Sequence, residues 1–198
     1  LGGFLRFYGL KEIPLGLYSD EAMNGNNGLK ALATGDWKVF YTENNGREGL
    51  FINLQAIAVR FFGNTPWALR AVSAFFGTLT ILGVYLVSRE LFATNSKSET
   101  LNPKQIQNPN DQNPKRFGFF NFRNWNLFRI SDLGFRISRG EAIPLLSAFF
   151  LATSYWHLNF SRIGFRAIML PFVSSFALYF LLKGLRKGTI SDILFAGV

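Results

Sequence analysis

Apolar residues are not spread evenly along this chain; they gather in runs that no charge interrupts. Eighteen residues separate Arg70 from Arg89, twenty separate Glu141 from Arg162, and sixteen separate Arg166 from Lys183, all without Asp, Glu, Lys or Arg. About 20 residues rising ~1.5 Å each cross a bilayer core, so these runs predict transmembrane helices. The third run is a turn short, but Arg166 and Lys183 can snorkel from its two ends. The runs mix Phe with Leu, Ala, Gly and Ser, a composition suited to helices that meet lipid and pack closely on one another. The run Gly49–Val59 has 11 uncharged residues, too few to cross, and predicts an interfacial or re-entrant helix. Leu1–Leu5 reads as the last turn of a helix and Ile190–Val198 as the start of another. With no initiator Met and no signal-peptide pattern ahead of Leu1, the expectation is a piece of a longer protein.

Charge then orients the spans. If Gly49–Val59 does not cross, the chain leaves the membrane near Arg6 and stays outside to Trp67. It crosses inward through Ala71–Val87, returns through Ala142–Trp156, and goes inward again through Ala167–Leu182. Lys97, Lys104, Lys115, Arg116, Arg123, Arg129, Arg136 and Arg139 then share one cytoplasmic loop, and Lys183, Arg186 and Lys187 the next. That inside excess satisfies the positive-inside rule. The expected fold is all-α, a polytopic transmembrane helical bundle with a helical first outer loop. Its divisions are the end of a first span (1–5), an outer loop (6–67), a span (68–91), an insertion (92–140), a span (141–157), an outer loop (158–166), a span (167–183), a cytoplasmic loop (184–189) and the start of a further span (190–198). Within the insertion, 102–114 is Asn-, Gln- and Pro-rich and reads as disordered. After it, Leu127-Phe-Arg-Ile-Ser131 and Gly134-Phe-Arg-Ile-Ser138 form a near-repeat, read as a functionally idle loop in preference to a patch for the anionic inner leaflet.

The net charge of +9 would admit nucleic acid, but the basic residues sit beside apolar spans, where topology accounts for them, so no nucleic acid is expected as a partner. The chain has no cysteine, which removes disulfides and thiolate metal sites.

Candidate chemistry concentrates outside. Asp20 and Glu21 follow the exit from the first span, and Ser19 or Asp20 can N-cap a helix starting at Glu21. Glu48 precedes the short apolar helix. Arg162 and Arg166 stand four apart in the short outer loop, where the plain alternative is interfacial anchoring. His157 can hydrogen-bond a substrate or serve packing, Arg70 and Arg89 bracket a span as anchors, and the sequon at Asn159 lies too close to the membrane to be used.

The order Asp20-Glu21, Glu48, Phe62-Gly-Asn-Thr-Pro-Trp-Ala-Leu-Arg70, then Ala71-Val-Ser-Ala-Phe-Phe-Gly77 and Ser154-Tyr-Trp-His157-Leu-Asn-Phe-Ser161-Arg162 resembles the amino-terminal part of the GT-C glycosyltransferases. The resemblance is to the protein O-mannosyltransferase and aminoarabinose-transferase-like superfamily, and it covers most of the chain except Phe92–Gly140. It implies transfer of a sugar from a polyprenyl-phosphate donor to a protein or lipid hydroxyl, with inversion, on the outer face of a membrane. A prokaryotic plasma membrane is the expected location. By resemblance Asp20 is the general base, and Glu21 orients it or the acceptor. Attack by a hydroxyl needs such a carboxylate, and a departing phosphate needs cations, for which Arg162 and Arg166 are the candidates. The Asp20–Glu21 pair can also hold a divalent cation; with one His and no Cys, its oxygen-rich donors would suit Mg or Mn. Relatives follow the Glu48 slot with Lys-Pro or Pro-Pro; here Gly49-Leu50 stands instead. Two other readings are a transporter or flippase-like protein without catalysis and an inactive truncated relative. The first predicts ionisable residues inside the spans, and the three runs hold none.

Overall fold

A computed structural model describes residues 1–43, 46–92 and 141–197. The insertion expected at 92–140, with its near-repeat and its basic residues, lies outside the described residues save Phe92. Among those described, the chain is mostly helical. Its α-helices are α1 (Gly2–Phe7), α2 (Ser19–Thr34), α3 (Gly49–Phe62), α4 (Pro66–Phe92), α5 (Ala142–Thr153), α6 (Tyr155–Arg162), α7 (Met169–Lys187) and α8 (Ile190–Ala196). Two short strands, β1 (Phe40–Tyr41) and β2 (Arg47–Glu48), form an antiparallel hairpin that pairs Phe40 with Glu48.

Among the described residues two helices are long and apolar enough to cross a membrane: α4, and α7 with the 3-10 turn Arg166–Ile168 ahead of it. α4 starts on Pro66, whose missing N–H costs nothing in a first turn, and Thr65 receives the Ala68 N–H. It runs 27 residues and is the hub, packing against α1, α3, α5, α6 and α7. Of its most apolar stretch 44% is buried by the rest of the chain, against 17% for α7. α7 therefore shows most of its apolar surface outward.

α4 and α7 run parallel. The Phe76 and Phe172 rings stand 5.0 Å apart, and Arg186 pairs with Glu90 a few turns further on. Gly83 permits the approach, since a Cβ there would collide with Ser175. α1 runs the other way along α4. A Cβ on Gly2 would meet Ile81, one on Gly3 would meet Thr78, and one on Gly77 would meet Arg6 and Ser161. α2 and α3 lie together at the end where α4 begins; Gly28 brings α2 against Ala56 of α3, and Ile52, Ala56 and Ala68 are fully buried there.

The structure departs from expectation in two places. Ala142–Trp156 is not one helix. α5 stops at Thr153, Ser154 adopts extended angles (φ −58, ψ 122), and α6 leaves in a new direction. At 12 residues α5 is about 18 Å long, well short of a bilayer core. The turn lets α6 lay the buried Ser161 against Gly77, a long-range contact that a count of uncharged residues does not register. The second departure is at α2, which starts at Ser19 rather than Glu21. Neither Ser19 nor Asp20 caps it; the Glu21 carboxylate turns back to accept the Tyr18 N–H at 3.3 Å. A helix does begin at Ile190, where one was expected: α8 lies against α7, with Lys183 on Asp192 at 2.8 Å and Ile193 against Gly184.

Candidate functional site

The first turn of α2 carries both candidate catalytic carboxylates, and their surroundings separate them. Glu21 is 1% exposed and so is Arg70, one turn into α4. Arg70 Nε donates to Glu21 Oε1 at 2.9 Å and Nη2 to Oε2 at 3.4 Å. Arg70 also donates to the carbonyls of Leu10, Pro14 and Gly16, tying the 8–18 loop to the start of α4. Glu21 Oε1 takes a further bond from the Gly164 N–H at 3.3 Å. Gly164 comes this near because it has no side chain; a Cβ would stand 2.9 Å from Glu21 Cγ. A buried pair persists only when its remaining donors and acceptors are met, and here they are. Arg70 is therefore more than the span anchor that its position in the sequence indicated. Glu21 is the counter-ion that fixes α2, α4 and the 162–166 loop in one register. Asp20 is partly buried at the same helix start.

Arg162 is committed elsewhere. Its Nη1 donates to Leu5 O at 2.7 Å and Tyr8 O at 2.8 Å, and its Nη2 to Ile13 O at 3.0 Å. These carbonyls belong to the C-terminal turn of α1 and the loop after it, where a cation meets the negative end of the helix dipole. Burial, then the nearby charge of Arg70, lowers its pKa from the ordinary value. Arg162 thus fastens α1 to α6, and its guanidinium is not turned to an incoming phosphate.

Arg6 does the reciprocal task. It is fully buried and donates to Ala152 O near the C-terminus of α5 at 3.2 Å, to Ser161 Oγ at 3.2 Å and to Gly2 O at 3.0 Å. None of its partners among the described residues is a carboxylate; helix-end carbonyls supply the compensating partial charge. Its Nη2 lies 2.6 Å from His157 Nδ1. Guanidinium only donates, so Nδ1 accepts and the ring proton of His157 sits on Nε2. Burial, with the Arg6 charge second, pushes the His157 pKa down to about 4. His157 also lines a pocket of about 110 Å³ between α6 and α7, whose other walls are Phe160, Ala167, Ile168 and Pro171, a lining that suits hydrocarbon better than sugar.

Glu48 and Arg166 do meet. Glu48, at the N-cap of α3, is 3.2 Å from Arg166 Nη1, which also donates to Gly46 O at 3.3 Å. Glu48 is 79% exposed and Arg166 35%, so the pair is a weak, solvent-screened contact.

Five residues escaped the sequence reading because little in a linear pattern marks them as buried: the polar Arg6, Asn24, Arg47 and Gln55, and Gly164, which acts through its backbone. Gln55 donates to Leu69 O at 3.1 Å and Gly164 O at 3.4 Å, Asn24 donates to the same Gly164 carbonyl, and Arg47 donates to Asn24. One available signal was Gln55 itself, which with Asn53 interrupts the apolar run 49–59. The sequence left open whether Asp20 and Glu21 hold a divalent cation, and the surroundings of Glu21 do not favour one. Both Glu21 oxygens face N–H donors and a guanidinium, and among the described residues no three His, Asp or Glu gather as ligands.

Comparison of the chain with models of known protein families, with curated proteins and with solved structures finds no match.

Proposed function

We propose that the chain belongs to a membrane glycosyltransferase that moves a sugar from a polyprenyl-phosphate donor to a protein or lipid hydroxyl on the outer face, with inversion. The wider protein would be a multi-pass GT-C-type bundle in a prokaryotic plasma membrane. One observation carries the reading: Asp20, Glu48, Arg166 and the Glu21–Arg70 pair come from separate segments and gather at the end where α4 and α7 both begin. A lipid-borne donor would present its phosphate at such a boundary, with its chain among the apolar faces of the spans.

Roles divide by burial. Asp20 is the base that takes the acceptor proton as the hydroxyl oxygen bonds to the anomeric carbon and the bond to phosphate breaks. Arg166 can leave the exposed Glu48 for the departing phosphate, since charge-assisted bonds to phosphate are strong and bidentate. Glu21 is a positioning residue acting through Arg70, and Arg162 and His157 hold the α1–α6 junction.

The test is Asp20→Asn in the protein at its native length, in membranes, with a radiolabelled polyprenyl-phosphate sugar. Loss of a base predicts transfer reduced by at least about 10²-fold in protein that still folds. Wild-type transfer by this variant would overturn the assignment.

A further inference from the structure

We infer that the 8–18 loop is a membrane-contact surface, whose apolar side chains rest in the bilayer at its boundary with water. The loop is turned inside out. Leu15 is 95% exposed, and Tyr8, Ile13, Leu17 and Tyr18 are exposed as well, while Leu10 is buried. A contiguous apolar surface of this kind marks a place where something other than water belongs. The backbone does the opposite, because two guanidiniums take carbonyls that a solvated loop leaves to water. Arg162 donates to Tyr8 O at 2.8 Å and Ile13 O at 3.0 Å. Arg70 donates to Leu10 O at 3.3 Å, Pro14 O at 2.9 Å and Gly16 O. Gly9 O takes the Glu12 and Ile13 N–H groups at 3.1 Å and 2.9 Å. An irregular loop can enter lipid only when its backbone polar groups are met from within, since hydrocarbon offers them no partner. A loop bathed in water needs no such provision.

Lipid, rather than a protein partner, is the cover that fits. The loop continues an outward apolar stripe of α1, where the exposed Phe4 and Tyr8 rings stand 5.0 Å apart. α1 lies along α4, a helix long and apolar enough to cross a bilayer. Tyr8 and Tyr18 bound the loop with exposed rings, and tyrosine collects where a membrane meets water. Between them Lys11 and Glu12 are exposed. Charged residues are depleted from the centre of protein interfaces, whereas at a bilayer surface a lysine can snorkel to the headgroups. A membrane contact here requires α4 to cross a bilayer; it does not require sugar transfer.

The test uses the full chain in phosphatidylcholine nanodiscs. The chain has no cysteine, so Ile13→Cys, Leu15→Cys, Ala33→Cys and Leu178→Cys each carry a single bimane label, all at exposed positions. The quenchers are iodide in the water and lipids bearing a nitroxide either near the carbonyl or near the acyl end. Leu178, midway along α7, reports the span, and Ala33, at the far end of α2, reports water. Labels at 13 and 15 should be quenched by the carbonyl-level nitroxide. Iodide should quench them at least about fivefold less than it quenches the label at 33, as for side chains sunk below the headgroups. Iodide quenching equal to that at 33 overturns the inference. So does a label that no quencher reaches, which marks a protein cover instead of lipid. If the acyl-end nitroxide misses position 178 as well, the chain does not cross a membrane and the contact falls with the span. If it reaches 178 while the loop labels escape both lipids, the contact alone falls. Quenched loop labels in a protein that transfers no sugar would sink the transferase reading and leave the contact standing.

Discussion

Both ends of the α4–α7 pair are crowded with charge, and they hold it in opposite ways. Where the two helices end, Arg89–Glu141, Arg186–Glu90 and Lys183–Asp192 are ion pairs in which at least one side chain stays 24% or more exposed. Where they begin, Glu21, Arg6, Arg47 and Arg70 are withdrawn from solvent almost completely, and three of those four are cations. Exposed pairs are screened and cost little to make or break. Buried charges persist only with defined partners, so each commits neighbouring backbone to a fixed geometry. One end is fastened like a membrane–water boundary. The other is a preorganised polar site.

The sharpest way to break that contrast is to cut one pair at each end. Arg70→Met leaves Glu21 buried and unpaired and strips donors from three loop carbonyls, so it should cost about 3–5 kcal/mol. Arg186→Gln should cost about 1 kcal/mol or less. The double variant Glu21→Leu with Arg70→Met should be milder than Arg70→Met alone, because no orphaned charge remains. Melting in nanodiscs reads all three, and equal losses at the two ends would erase the distinction.

How far the sequence foretold this follows from what each element depends on. α4 and α7 were legible as long apolar helices because a long uncharged run is a local property of the sequence. α3 was legible as a short apolar helix too brief to cross. The break at Ser154 was not, since it depends on Ser161 seating against Gly77 and on Arg6 reaching Ala152, contacts that bridge more than seventy residues. The site divides in the same manner. Residue types at Asp20, Glu21, Glu48, Arg162 and Arg166 pointed to carboxylates and guanidiniums on one side of the membrane. Which carboxylate is buried, and which arginine is tied to carbonyls, depends on partners far away in the chain. Glu21 answers to Arg70, and Arg162 to a helix end more than 150 residues before it.

A middle-sized effect tests how tightly α1 is held at the site end. Gly77 carries no side chain, and a Cβ there would overlap Ser161 and come within 3.3 Å of Arg6 Nε. Gly77→Val should therefore destabilise by about 1–3 kcal/mol through overpacking. Gly3 lies on the same α1–α4 contact with its hypothetical Cβ 3.7 Å from Thr78, an ordinary distance. Gly3→Ala should be close to neutral. If the two variants melted alike, close approach at Gly77 would not be what holds α1, α4 and α6 together.

The last effect is a slope against pH. His157 lies in α6, beyond the break, and the groups facing it are Arg6 and Ser161. Its pKa is about 4 in the fold against an ordinary 6.5. Above pH 6.5 the ring is neutral in both folded and unfolded chains and contributes no slope. As pH falls from 6.5 toward 4, the unfolded chain binds a proton that the folded chain refuses, so stability drops through that window and levels off below it. His157→Asn offers Oδ1 in place of Nδ1 to Arg6 and cannot titrate. Its melting midpoint should fall less steeply than wild type between pH 6.5 and 4, with the two curves parallel above pH 7. Carboxylates titrating at both ends affect wild type and variant equally, so the difference between the curves isolates the ring. Curves that stay parallel down to pH 4 would mean that Arg6 does not hold His157 neutral, leaving its buried charge answered by the helix-end carbonyls and Ser161 alone.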